Sequence, residues 1–157
     1  MRISVIGCGY LGAVHAACMA KLGHHVVGID VDERKIAELS AATAPFYEPG
    51  LEDLLEEVQE TGRLSFTSDM ASAAGSDVHF ICVGTPQKKG ENAADMSYVD
   101  AALRALLPHL SAGEVVVGKS TVPVGTASRL AELIAEVQPD VHLVWNPEFL
   151  REGHAVS

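Results

Sequence analysis

No apolar run in this sequence reaches the roughly 18 residues that a membrane-spanning helix requires, so nothing in it reads as a transmembrane segment. Its start, MRISVIGCG, enters a strand pattern directly, without the basic region and cleavage site of a secretory signal. The expected location is cytoplasmic, with no membrane partner. Positive charge is scarce too: 11 Lys and Arg stand against 21 Asp and Glu, a formal net charge of −10. Without a basic stripe to neutralise phosphates, nucleic acid is not an expected partner. There are only three cysteines and no CxxC, which argues against a disulfide framework or a zinc knuckle. The seven histidines show no metal-ligand spacing, and no metal site is expected. His24 and His25 are adjacent in an extended segment and would point to opposite faces. Repeats, low-complexity tracts and internal linkers are missing as well.

What remains is a chain of 157 residues, 48% of them hydrophobic, enough to cover both faces of a buried sheet in one domain. Apolar runs of strand length alternate with helical periods. Strands are expected at 2–6, 25–29, 64–67, 78–83, 115–118 and 141–145, all but the third read from buried apolar runs. Helices are expected at 11–23, about 32–39, 51–59, about 97–110 and 126–137, with Ser68-Asp69 capping a further short one. Pro45 and Glu48-Pro49-Gly50 break the chain before the third helix. Glu52-Asp53 and Glu56-Glu57 read as its solvated face. Such alternation implies a parallel sheet covered on both faces. The expected fold is α/β: a doubly wound, Rossmann-type sheet of six strands in the order 3-2-1-4-5-6. Cys18 falls on the stripe Leu11, Val14, Cys18, Leu22, read as the core face of the first helix, and Cys82 lies in an apolar strand. Cys8, between two glycines, is expected to be partly accessible.

Gly7-Cys8-Gly9-Tyr10-Leu11-Gly12 is a GxGxxG between the first strand and the first helix. Gly7 permits a tight turn, Gly9 lets backbone amides approach a pyrophosphate, and Gly12 lets helix and strand pack closely. The positive end of the helix then faces the phosphates. The second strand ends in Gly28-Ile29-Asp30, an acidic residue at the distance expected for ribose hydroxyls. Asp30 would repel a 2′-phosphate, so NAD is expected over NADP. Arg34 and Lys35 weigh slightly the other way, since a nearby cation serves either group.

In open parallel sheets, ligands sit beyond the carboxyl ends of the strands. Three later strands end in segments that make poor generic loops: Val83-Gly84-Thr85-Pro86, Gly118 to Thr126 with Lys119-Ser120-Thr121-Val122-Pro123, and Asn146-Pro147-Glu148-Phe149-Leu150-Arg151-Glu152-Gly153. Together with Phe46-Tyr47-Glu48-Pro49-Gly50-Leu51 and the GCGYLG turn, they resemble the UDP-glucose/GDP-mannose dehydrogenase family. The resemblance runs from Met1 to Ser157 through five ordered motifs. Within the family, Val78 to Asp100 is similar to bacterial members that oxidise UDP-glucose, with GDP-mannose or UDP-N-acetylmannosamine as alternatives.

The resemblance implies oxidation of a nucleotide sugar's C6 alcohol to a carboxylate in two NAD-dependent steps. A cysteine traps the aldehyde as a thiohemiacetal, and a thioester is then hydrolysed. It implies that Gly7, Cys8, Gly9, Tyr10, Leu11, Gly12 and Asp30 hold NAD, with Lys35 near the adenosine ribose. Val83, Gly84, Thr85 and Pro86 would flank the cofactor, Ser120 would contact it, and Thr121 and Glu152 would approach it. Thr121 and Glu148 match a pair associated with a bound water and acid/base work, with Glu152 counted beside them as catalytic. Glu148, Phe149, Leu150, Arg151 and Glu152 match the segment that holds the nucleotide sugar. The chemistry requires such groups independently: hydrolysing a thioester needs a water held and polarised by a carboxylate, and a hydroxyl suits as second tether.

One departure is large. The family's nucleophilic cysteine, in a GxGxCxxKD context, has no match among Cys8, Cys18 and Cys82, and the supporting lysine and asparagine are missing. The expectation is an NAD-binding N-terminal domain, residues 1–157, without the central dimerising helix and the sugar-closing domain. By itself it should bind NAD and not turn over; the longer enzyme is expected to be a homodimer. A stand-alone dinucleotide-sensing domain would explain the fingerprint and Asp30 but gives no reason for Pro147 to Glu152. Another two-domain hydroxyacid dehydrogenase would not need Glu48-Pro49-Gly50 or Ser120 to Pro123.

Overall fold

The computed structural model describes residues 1–156. Six parallel strands, β1 (Arg2–Ile6), β2 (His25–Ile29), β3 (Leu64–Thr67), β4 (Val78–Ile81), β5 (Val115–Gly118) and β6 (His142–Trp145), form one sheet in the order β3-β2-β1-β4-β5-β6. Five helices connect them: α1 (Tyr10–Lys21), α2 (Glu33–Ser40), α3 (Leu51–Glu60), α4 (Ser97–Leu106) and α5 (Thr126–Val137). Alternation along β1 shows how the layers arise. Ile3 and Val5 face a core shared with α1, Leu39 of α2, and α3; Ile6 faces the opposite core with α4 and α5. Every strand therefore carries its ligand-bearing turn to the same edge, and the order reverses between β1 and β4. Among the described residues no helix is long and apolar enough to cross a membrane.

Local chemistry sets the boundaries. Asp32 caps α2 by accepting from the backbone N–H groups of Arg34 and Lys35, and Asp69 caps a 3-10 turn at Met70–Ala73 through Ala71. α4 ends at Leu106 rather than running to residue 110, because Pro108 has no N–H to continue the helix; a 3-10 turn at Leu107–His109 takes over. α3 buries Leu51, Leu54, Leu55 and Val58 and exposes Glu52, Asp53, Glu56 and Glu57, as its pattern predicts.

The structure corrects several sequence expectations. The buried face of α1 is made of Gly12, Ala13, Val14, Ala16, Ala17 and Ala20, not the leucine stripe. Leu22 lies past the helix end and is 74% exposed, while Leu11 and Cys18 are only half-buried. The small residues let α1 approach the sheet and α3 closely; larger ones would hold it off. Cys8 is fully buried rather than partly accessible, because Gly28 leaves room for its sulfur beside β2. β4 stops at Ile81, so Cys82 and Val83 already belong to the ligand loop. β6, expected to be buried, is an edge strand with alternate residues exposed, since no strand pairs with its outer side.

Candidate functional site

At the end of β1 the chain turns at Gly7, whose φ of 92° lies in the left-handed region. Its N–H donates to the Ile29 carbonyl at 2.8 Å, which ties this turn to the end of β2. A β-carbon on Gly7 would lie 2.8–2.9 Å from the backbone of Val83, and one on Gly12 would lie 1.8 Å from the Gly7 carbonyl oxygen. These glycines thus bring the turn, α1 and the end of β4 into direct backbone contact. Gly9 differs: a β-carbon there would meet nothing within 4 Å, and its φ is an ordinary −70°. Packing does not require a glycine at 9, and its absent side chain leaves open space for a ligand to approach the backbone. Gly9 caps α1 with no side-chain bond, and the first turn carries no acidic residue. The orphan N–H groups and positive end of the helix therefore suit a diphosphate.

Asp30 sits beside this turn, its carboxylate largely enclosed. One oxygen accepts from the Cys8 N–H at 2.8 Å and from the Lys35 ammonium at 2.7 Å; the other accepts from the Asp32 N–H at 3.0 Å. Of about four lone-pair sites on a carboxylate, one is left for a hydroxyl. Lys35 thus acts through Asp30, while Arg34 pairs with Glu38 on the outside of α2.

The ends of β4, β5 and β6 are bonded into one unit. Ser120, buried, donates its hydroxyl to the Val83 carbonyl at 2.6 Å, and Thr85 donates to the Thr121 carbonyl at 2.8 Å. The Trp145 ring lies on Gly118, where a β-carbon would meet it at 2.4 Å, and its N–H donates to the Ser120 carbonyl at 3.0 Å. Pairing then continues past the strands: the Asn146 N–H donates to Gly118 and the Glu148 N–H to Lys119. These bonds bring the loops of Val83 to Pro86, Ser120, Thr121 and Glu148 together at one edge of the sheet. Thr121 is exposed on the loop next to that of Glu148, with no direct bond between the two among the described residues.

Sequence reasoning missed the group beneath Glu148. Lys119 is buried, and its ammonium donates to Asn146 Oδ1 at 2.9 Å and to Glu148 Oε2 at 3.2 Å. Glu148 Oε1 accepts from the Phe149 N–H at 2.9 Å. That amide and the ammonium hold the Glu148 carboxyl below the usual range, so it is ionised at neutral pH with one lone-pair site spare on each oxygen. His15 of α1, edge-on to Phe80 of β4, is lowered to about 4 by burial and by the Lys119 charge. The available signal was a lysine directly after the apolar run of β5, where a solvated side chain is out of place. Glu48 was also missed. It reads as part of a chain break, yet it is buried and accepts from Tyr10, Gly153, Ala155 and Val156.

Farther along, Phe149 is 78% exposed, Leu150 is half-buried, and Arg151 and Glu152 are exposed. The Arg151 carbonyl lies 3.4 Å from the Tyr10 hydroxyl, whose proton goes to Glu48. Burial, with Asp30 nearby, pushes the Cys8 thiol up; burial pushes Cys82 up to about 12 and raises Cys18 as well. A second cluster has the order of a hydrolytic triad: Ser4 Oγ lies 2.7 Å from His79 Nδ1, and His79 Nε2 lies 3.1 Å from Glu114. Ser4 and His79 are sealed within the sheet at 0% exposure, so no substrate reaches them.

Comparison with known proteins agrees with this geometry. Residues 1–157 match the UDP-glucose/GDP-mannose dehydrogenase family, NAD binding domain. The chain is 50% identical to a UDP-glucose 6-dehydrogenase of Rhizobium meliloti, over 100% of its own length and 37% of that protein. A solved UDP-D-ManNAc dehydrogenase from Pyrococcus horikoshii superposes with a TM-score of 0.94 at 32% identity, covering 99% of this chain and 38% of that one. A GDP-mannose dehydrogenase from Pseudomonas aeruginosa, solved as a ternary complex, gives 0.93 at 42% identity, with the same coverage of 99% and 38%. The chain thus spans a little over a third of these relatives.

Proposed function

The chain belongs to the UDP-glucose/GDP-mannose dehydrogenase family as its NAD-binding domain, and from that premise we propose that it is the cofactor half of a longer UDP-glucose 6-dehydrogenase. Bound at the turn Gly7 to Gly12, NAD supplies the hydride acceptor. Asp30 would take a ribose hydroxyl on its remaining lone pair, which would favour NAD over NADP, and Val83 to Pro86 and Ser120 would flank the cofactor. UDP-glucose is the substrate best supported, by the 50% identity to the Rhizobium meliloti protein, with GDP-mannose and UDP-N-acetylmannosamine as alternatives. Phe149, Leu150, Arg151 and Glu152 hold the nucleotide sugar.

The observation that carries the chemical reading is Glu148, an ionised carboxylate on a buried lysine at the ligand edge of the sheet. It takes a proton from the water that hydrolyses a thioester, and the Thr121 hydroxyl tethers that water. Burial raises the thiols of Cys8, Cys82 and Cys18, and on this reading the nucleophile belongs to the rest of the longer enzyme. This chain by itself should bind NAD without turnover. In the longer enzyme, Glu148→Gln should lower turnover by about 10²- to 10⁴-fold and accumulate covalent thioester, read by rapid quench and protein mass. Thr121→Ala should have the smaller effect, and Glu152→Gln should weaken sugar or cofactor binding as well as rate. Unchanged turnover in Glu148→Gln, with no trapped intermediate, would place the water on another group. Comparing kcat/KM for UDP-glucose, GDP-mannose and UDP-N-acetylmannosamine decides the substrate.

A further inference from the structure

Phe149, Arg151 and Glu152 are exposed and Leu150 only half-buried, so core packing of their side chains does little to fix the segment's backbone. The fixing contacts lie just beyond them and converge on Glu48, in the long connection between α2 and α3. Glu48 is 6% exposed. Its Oε2 accepts from the Gly153 N–H at 2.7 Å and from the Tyr10 hydroxyl; its Oε1 accepts from the N–H groups of Ala155 at 2.8 Å and Val156 at 3.2 Å. Four donors thus fill the roughly four lone-pair sites of one carboxylate. Gly153 has a φ of 80°, a turn that aims the following amides at the same point. Burial opposes ionisation of Glu48, but the Tyr10 hydroxyl and the three amides outweigh it and hold the carboxyl below its usual range.

Tyr10 is the joint in this arrangement. Its backbone starts α1 within the cofactor turn, its ring packs on Phe46 with centroids 5.0 Å apart, and its hydroxyl shares the Gly153 N–H with Glu48, at 3.0 Å. We propose that Glu48 is a positioning residue for nucleotide-sugar binding: by gathering the amides of residues 153–156 onto the cofactor turn, it presents Phe149 to Glu152 in the conformation that grips the sugar nucleotide. The role rests on the reading of that segment as substrate-holding. The bonds of Glu48 go to the Tyr10 hydroxyl and the amides of Gly153, Ala155 and Val156, so its effect passes through the backbone it anchors.

Glutamine at this position exchanges an acceptor oxygen for an N–H₂ group that opposes the converging donors. In the 157-residue chain, Glu48→Gln should lower hydrogen-exchange protection of the Gly153, Ala155 and Val156 amides about tenfold or more. Protection of β1 and β4 should stay as in the wild type. In the longer enzyme, Glu48→Gln should raise KM for the nucleotide sugar about tenfold while kcat changes little, with part of the loss restored by Glu48→Asp. Unaltered protection at 153–156 refutes the anchor, and lowered protection with an unchanged KM refutes the positioning role. A wild-type enzyme that oxidises no nucleotide sugar overturns the substrate reading itself, whereas wild-type turnover indifferent to Glu48→Gln overturns only this inference.

Discussion

Replacing Gly9 and Gly12 separately by alanine should split folding from cofactor binding, although both belong to one six-residue motif. At Gly12 the new methyl would sit 1.8 Å from the Gly7 carbonyl oxygen, 2.9 Å from its carbon and 3.2 Å from Cys82 Cβ. These neighbours are backbone or the first atom of a buried side chain, so none can rotate away; α1 itself has to move. Overpacking a rigid site costs about 1–3 kcal/mol and sometimes more, and a backbone neighbour puts Gly12→Ala at about 3 kcal/mol. For a domain of this size that lowers Tm by roughly 6–12 °C. At Gly9 the methyl meets nothing within 4 Å, and φ −70°, ψ −165° suits alanine. A poorer helix cap and a less flexible unfolded chain oppose each other there, so stability should shift by less than about 1 kcal/mol. The methyl enters the space where a diphosphate meets the helix end, and NAD affinity should fall about 100-fold, close to 2.7 kcal/mol. Thermal melts and calorimetric titration of both variants decide the matter. A Gly9→Ala protein that binds NAD as well as wild type would show that the phosphates do not lie on this turn, and an unshifted Tm in Gly12→Ala would refute the rigidity of the contact.

NAD should bind more tightly than NADP, and Asp30→Ala should abolish the difference; equal affinities in the wild type, or a preference that survives the substitution, would remove Asp30 from the ribose. Cys8 and Cys82 should react with thiol reagents at pH 8 only as fast as the protein opens, since burial keeps both thiols protonated; rapid labelling in the folded state would contradict their burial. Acid should destabilise the fold early. With His15 lowered to about 4, the unfolded chain takes up the proton first, so stability falls as pH drops from about 6.5 towards 4. Allowing for partial solvent access, this amounts to roughly 2 kcal/mol. Buried His79 acts in the same direction, and Glu48 and Glu148, held low when folded, add their loss below the ordinary carboxylate range. Melts at pH 7 and 4.5 should show the drop, His15→Leu should flatten it, and an identical pH profile in that variant would assign the effect elsewhere.

Strand positions, their parallel order and the cofactor turn were legible in the sequence because each rests on a local signal. Apolar runs mark β1, β2 and β5 at the residues observed, and GxGxxG needs only the strand before it and the helix after it to acquire meaning. Asp30 was likewise readable from its place at the end of β2. What the sequence misled on was depth. The leucine stripe of α1 looked like a core face, but the helix is held so close to the sheet that, Val14 apart, only glycine and alanine lie beneath it. The apolar run of β6 looked buried, but an edge strand has no neighbour on its outer side. Tertiary structure alone decided the polar partners of the site. Lys119 and Glu148 stand 29 residues apart, and Glu48 lies 105 residues before Gly153. No local pattern relates such positions. A charged residue's period says which way it would face in isolation, whereas its burial depends on whether distant segments bring donors and acceptors to satisfy it. Glu48 is buried because three amides and a hydroxyl from elsewhere in the chain converge on it, and that convergence exists only once the sheet has set its turns along one edge.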